Sequence, residues 1–154
     1  MPTKFTMTVS ALSALALFAP VGVSAQSANV ITLTQTPCQF VETEGTDHGY
    51  KSSSKADCEK INARSGADRV AKSKVITLKP GDYTFRVTNK NVPYNLGFWL
   101  RGQGVIGRAT LPSVSGGGLS TGTSKDYKIS LKPGKYYYSC PLNSTPDYHI
   151  EVKG

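Results

Sequence analysis

Alternating apolar and polar positions recur along the chain from residue 30 onward and predict a series of short strands. The pattern is clearest over residues 83–88, where Tyr83, Phe85 and Val87 would share one face and the residues between them the other. Similar runs occupy residues 30–34, 75–78, 95–100, 127–131, 135–140 and 149–152. Short strands separated by turns that contain glycine and proline are typical of an all-β sandwich or barrel.

Two segments interrupt this series of strands. The first is a polar insertion over about residues 36–73, in which residues 55–64 (KADCEKINAR) form the one predicted helix, of two to three turns. The second is a stretch rich in glycine and serine over about residues 101–124. Its composition predicts a long loop, with at most one short strand near residues 105–111.

One sequence unit occurs twice. Residues 76–85 read ITLKPGDYTF and residues 129–138 read ISLKPGKYYY, so each unit is a strand, a Pro-Gly turn and an aromatic strand. Proline followed by glycine suits a type II turn, because glycine accepts the positive φ that the third turn position requires. The repeat therefore predicts two equivalent strand–turn–strand units.

The amino terminus has the pattern of a secretory signal. Lys4 precedes an uncharged apolar run, and Val23-Ser24-Ala25 is a small-residue cleavage site, so residues 1–25 are predicted to be removed. No other stretch approaches the 18 apolar residues of a membrane span, which leaves residues 26–154 as one predicted domain without a span. We therefore expect a periplasmic or secreted protein.

Three cysteines are present, so at least one has no partner within the chain. Cys38 and Cys58 bracket most of the polar insertion, and in an oxidising compartment we expect them to form a disulfide that stabilises the fold by about 3 kcal/mol. A metal-binding or redox pair is the alternative. Cys140 remains, on the same strand face as Tyr136 and Tyr138, either as a small buried hydrophobic residue or as a functional thiol.

The repeated unit and the segment around Cys140 carry a family resemblance. The sequences LKPGDYTFRVTN (78–89), LKPGKYYYSCPLN (131–143) and YHIEV (148–152) resemble the strands of the cupredoxins, the plastocyanin- and azurin-like proteins. The resemblance implies a cupredoxin-like Greek-key β-sandwich. The disulfide would then staple the polar insertion and its short helix to this sandwich.

The same resemblance implies a degenerate copper site. A blue-copper centre takes two imidazoles, a thiolate and a weak axial methionine. Cys140 stands at the thiolate position, whereas Tyr94 and Asn143 replace the two histidines, and the two methionines, Met1 and Met7, both lie in the predicted signal. We expect Tyr94 and Asn143 to hydrogen-bond to each other in place of metal, with Cys140 as the one retained candidate ligand.

A second candidate metal site lies in the insertion. Glu44, Asp47 and His48 bring carboxylates and an imidazole close together in sequence, and such groups can bind a divalent cation. The alternative is an acidic loop that water simply solvates.

The formal net charge of +8 becomes +7 when the predicted signal, with Lys4, is removed, and this charge favours encounters with acidic proteins or anionic surfaces. No nucleic-acid motif or nucleophilic triad is present. The leading prediction is a non-enzymatic binding or accessory module with no cofactor, whose partner is an unidentified, acidic protein. One alternative is a copper-handling protein that uses Cys140, for which copper would be a ligand. The other is an electron carrier with an atypical metal centre.

Overall fold

Two packed β-sheets form the domain. The computed structural model describes Met1 and residues 29–154, so the rest of the predicted signal segment lies outside the described residues. The strands are β1 (Asn29–Thr36), β2 (Gln39–Phe40), β3 (Ile76–Leu78), β4 (Gly81–Asn89), β5 (Leu96–Gly102), β6 (Val114–Leu119), β7 (Ser124–Leu131), β8 (Gly134–Ser139) and β9 (Tyr148–Val152). The helices are α1 (Val41–Glu44), α2 (Lys55–Lys72) and α3 (Gly104–Thr110).

The first sheet has the strand order β2-β1-β4-β7, and the second has the order β3-β9-β8-β5-β6. Pairing is antiparallel except for β1 with β4 and β3 with β9, which are parallel. The predicted β-sandwich is therefore confirmed, and each of the seven strands predicted from alternation agrees with an observed one to within about three residues. The predicted inward face of β4 is also confirmed, because Tyr83, Phe85 and Val87 are all buried.

Aromatic rings fill the space between the sheets. Phe98 of β5 lies at the centre, with its ring centroid 5.1 Å from that of Tyr127 and 5.7 Å from that of Phe85. Phe40 and Tyr138 contact the same ring. Aromatic pairs at these separations are favourable beyond the area that they bury. The core thus joins both sheets to the insertion, which supplies Phe40.

The two repeated units each connect one sheet to the other. The first runs from β3 of the second sheet into β4 of the first, and the second runs from β7 of the first sheet into β8 of the second. Their glycines, Gly81 and Gly134, have φ of +145° and +152°. The φ is positive as predicted, but it differs from the value of about +80° in a type II turn, so the predicted turn type was wrong. Gly81 pairs with Leu131 and Gly134 with Val152, which places both turns at one end of the sandwich, the Pro-Gly end.

The helix of the insertion is longer than the sequence predicted. It was expected to end at residue 64, but α2 continues to Lys72 through Ser65 and Gly66. A Cβ on Gly66 would lie 3.4 Å from the Pro146 ring, so the glycine allows the helix to pack closely against the loop that follows β8. Tertiary packing here outweighs the low helix propensity of glycine.

The prediction for residues 101–124 was wrong. The segment near residues 105–111 is helix α3, and the glycine run lies in strand β6, which pairs with β5. A Cβ on Gly97 would approach the Gly116 carbonyl oxygen to 2.6 Å, and one on Gly116 would approach Tyr127 to 3.1 Å. These glycines allow close packing between strands, so their role is not loop flexibility.

Candidate functional site

Cys140 lies directly after β8, at the end of the sandwich opposite the Pro-Gly turns. Its side chain is fully buried, and its Sγ accepts hydrogen bonds from the backbone N–H groups of Gly97 and Asn143, both at 3.3 Å. Burial raises the pKa of the Cys140 thiol, although these two N–H groups act in the opposite direction. The sulfur is therefore held in place and kept from solvent in its neutral form.

Asn143 connects the loop after β8 to the insertion. Its Oδ1 accepts a hydrogen bond from the Cys38 N–H at 2.9 Å, and its Nδ2 donates to the Thr36 carbonyl at 2.9 Å and to Gln35 Oε1 at 3.3 Å. The side chain is completely buried. All hydrogen-bonding groups of this amide are thus used within the protein, as buried polar groups require.

The predicted disulfide between Cys38 and Cys58 is confirmed, and it lies beside these residues. Cys58 Sγ is 3.5 Å from Asn143 Oδ1 and 3.9 Å from the Tyr94 hydroxyl. Tyr94 hydrogen-bonds to Ser52 Oγ at 3.0 Å, and burial raises the pKa of its hydroxyl. The expected hydrogen bond between Tyr94 and Asn143 was therefore wrong, because a sulfur of the disulfide stands next to both groups.

A buried ion pair joins helices α1 and α2 of the insertion. Arg69 of α2 donates to the Glu44 carboxylate from Nε at 3.0 Å, and their side chains are 8% and 3% exposed. Burial alone would lower the pKa of Arg69, but the contact with Glu44 outweighs burial and raises it. Tyr148 of β9 hydrogen-bonds to the same carboxylate. Arg69 also donates to the Cys38 carbonyl at 3.0 Å, which links this pair to the disulfide.

The three residues of the second candidate metal site are used in different ways. Glu44 is the partner of Arg69, and its Oε2 lies 2.7 Å from His48 Nε2. Asp47 Oδ1 accepts from the Gly49 N–H at 2.9 Å and from Thr36 Oγ1 at 3.3 Å. Across residues 29–154 no group of three His, Cys, Asp or Glu side chains is arranged to hold a metal ion.

Two residues of this end were not recognised from the sequence. Gln35 is fully buried and donates from Nε2 to the Gly97 carbonyl at 2.8 Å. The period of two along β1 could have identified it, because it follows Leu33 on the inward face. Arg69 carried no such signal, since the predicted helix ended before it.

Comparisons with known proteins bear on the fold. No protein-family model and no curated protein matches the sequence. The solved structure of auracyanin B is similar over 86% of this chain and 94% of that chain, with a TM-score of 0.52 and 13% identity. The domain has a cupredoxin-like fold.

Two further structures have lower scores. The reduced auracyanin from Roseiflexus castenholzii gives a TM-score of 0.47 at 12% identity, over 84% of this chain and 100% of that one. The Lac15 protein from a marine microbial metagenome gives 0.40 at 13% identity, over 97% of this chain and 33% of that one.

The residues of this cupredoxin-like domain do not fit a blue-copper ion. Such an ion needs two imidazoles beside the thiolate. Of the two histidines, His48 contacts Glu44, and His149 on β9 packs edge-on against Tyr137 at 5.0 Å. At the two positions that the sequence resemblance assigns to histidine ligands, the Asn143 amide is fully hydrogen-bonded and the Tyr94 hydroxyl bonds to Ser52. The resemblance leaves Cys140 as the one candidate ligand.

Proposed function

We propose that this is an exported, cupredoxin-like protein that acts as a non-enzymatic binding or accessory module. The observation that carries the proposal is the packing around Cys140. Asn143 and the Cys38–Cys58 disulfide pack together beside this thiol, at the end where the family binds copper. A site whose polar groups are already paired with one another would have to lose those bonds before it could accept a ligand.

Export is supported by two features. Residues 1–25 have the pattern of a secretory signal, and disulfides such as Cys38–Cys58 persist in oxidising compartments. In the part of the chain that the structure describes, no helix has the length and apolar character needed to cross a membrane.

Copper loading tests the proposal. The exported protein is incubated separately with Cu(I) and Cu(II), freed of unbound metal, and analysed for copper content and visible absorption. We expect less than stoichiometric copper, with no difference between the wild type and Cys140→Ser. An intense blue absorption would instead identify an electron carrier with an atypical centre.

Copper handling through Cys140 is the second candidate function. It is favoured by the two backbone N–H groups that point at Sγ, because such donors stabilise a thiolate. Stoichiometric Cu(I) that is lost in Cys140→Ser would establish this function and contradict the first.

A further inference from the structure

A group of apolar and basic side chains lies on helix α3, on β5 and in the loop that follows β8. We call it the α3 patch and define it by Trp99, Val105, Ile106, Arg108 and Leu142. Val105 and Ile106 of α3 are 87% and 79% exposed, and Leu142 is 45% exposed. Adjacent aliphatic side chains so open to water are unusual unless they contact a partner.

Helix α3 is fixed to the sheet by its glycines. Gly102 of β5 and Gly107 of α3 are in such close contact that a Cβ on Gly102 would lie 2.1 Å from the Gly107 carbonyl oxygen. The Gln103 N–H also donates to the Lys135 carbonyl at 2.8 Å. The helix backbone therefore rests directly on the sheet, and Val105 and Ile106 are presented outward from a fixed base.

Trp99, the single tryptophan of the chain, is held by two arginines. The guanidinium of Arg101 lies 3.9 Å from its ring centroid and that of Arg108 lies 5.7 Å away. Arg101 is only 6% exposed and is anchored by Asp147 at 2.6 Å and by Ser139 at 3.0 Å. Its Nε has no hydrogen-bond partner among the described residues. A desolvated arginine thus orients a partly buried tryptophan, which reduces the entropy lost when that ring is bound.

An apolar groove of about 340 Å³ adjoins Trp99. Leu142 and Pro141 form one wall, and the backbone of residues 115–117 forms another. The groove can take an apolar side chain, and Arg108 links it to α3, because its guanidinium lies 5.7 Å from the Trp99 ring centroid. The α3 patch therefore offers an apolar groove beside Trp99 together with exposed aliphatic side chains on the helix, features that a polypeptide surface with apolar side chains can match.

Charge indicates which polypeptide fits. Arg108 and Lys135 are both exposed, and the chain without its predicted signal, which holds Lys4, has a net charge of +7. We infer that the α3 patch binds an acidic partner protein, which inserts an apolar side chain beside Trp99 and places carboxylates near Arg108. This inference rests on the proposed function and names the class of partner. Trp and Arg are among the residue types enriched at interface hot spots.

Selection from a library of displayed 12-residue peptides on the immobilised protein tests the inference. We expect enriched peptides to combine acidic with aromatic or aliphatic residues and to shift the emission of Trp99. Ile106→Asp should weaken their binding at least about tenfold, and Arg108→Glu should weaken it several-fold with a smaller dependence on salt. Val30→Asp is the matched control, because Val30 is 50% exposed on the other sheet, and it should leave binding unchanged.

Thermal unfolding of each variant verifies that the fold is intact. The inference is overturned if no peptide is enriched, or if Ile106→Asp and Val30→Asp bind the peptides equally. If no peptide is enriched and phosphatidylglycerol vesicles bind the wild type but not Ile106→Asp, the partner is a membrane and the inference is overturned. If the wild type forms a dimer and Ile106→Asp is a monomer, the partner is a second copy of this chain and the inference is likewise overturned. Copper loading reports on the proposed function separately, because it is read out at the Cys140 thiol, whereas Ile106→Asp and Arg108→Glu change helix α3.

Discussion

The two ends of the sandwich are built in different ways. At the Pro-Gly end, Gly81 and Gly134 sit in turns that connect strands adjacent in the sequence. At the Cys140 end, Asn143 bonds to Cys38 and Thr36, and Tyr148 bonds to Glu44, across separations of more than one hundred residues. The first end follows from local sequence, whereas the second depends on contacts that form only in the complete fold.

Removal of the buried cation at the Cys140 end should have the largest effect. Arg69→Met leaves the buried Glu44 carboxylate without its guanidinium, with His48 and Tyr148 as its remaining contacts, and breaking a buried ion pair in this way costs about 3–5 kcal/mol. Chemical denaturation of the wild type and the variant measures the free energy of unfolding. The double variant Arg69→Met/Glu44→Leu should recover part of the loss, because it removes the unpaired charge.

The control uses an exposed ion pair on the same helix. Lys55 and Glu59 are 56% and 54% exposed, so Glu59→Gln should change stability by less than about 1 kcal/mol. An equal effect of Glu59→Gln and Arg69→Met would contradict the role given to the buried pair.

The disulfide should have the next largest effect. Replacement of Cys38 and Cys58 by serine removes a cross-link between residues 20 apart, which costs about 3 kcal/mol in the chain-entropy model. Without the disulfide, the hydrogen bonds of the neighbouring Asn143 should also be disturbed. Cys140 should therefore become accessible to alkylating reagents. Mass spectrometry after brief labelling measures that access, and a Cys140 that stays unlabelled would show that the Cys140 end remains closed without the disulfide.

The sequence predicted the Pro-Gly end well for a physical reason. Strand alternation and the Pro-Gly pair are local signals, and they indicated the strands around Phe85 and Tyr138 together with both turns. The disulfide could also be predicted, from the number of cysteines and the expected compartment. Arg69 could not, because its partner Glu44 is 25 residues away and the helix continues through a glycine. The strand at residues 114–119 could not be predicted, because a glycine-rich composition is found both in flexible loops and in closely packed strands.

The two turn glycines form a matched pair at the Pro-Gly end. Gly81→Ala and Gly134→Ala each force a side chain into a positive φ, which costs about 1–3 kcal/mol. A Cβ at position 134 also lies 2.8 Å from Leu111 Cδ1, whereas one at position 81 meets no atom within 4 Å. Gly134→Ala should therefore be the more destabilising of the two variants. The difference should be modest, because the Leu111 side chain can move, and thermal unfolding of both variants measures it.

The smallest expected effect is the pH response of Cys140. Burial raises the pKa of this thiol in the folded state, so the unfolded chain releases its proton at a lower pH than the folded one. The contribution of Cys140 to the free energy of unfolding is therefore complete below the pKa of the thiol in the unfolded chain. It is lost as pH rises through the pKa of the folded state, with a slope of at most about 1.4 kcal/mol per pH unit. Thiolate absorbance near 240 nm, taken as the difference between the wild type and Cys140→Ala, should have a higher midpoint in native than in denatured protein. A lower native midpoint would mean that the N–H groups of Gly97 and Asn143 outweigh burial, and it would strengthen the case for a metal-binding thiolate at this end of the sandwich.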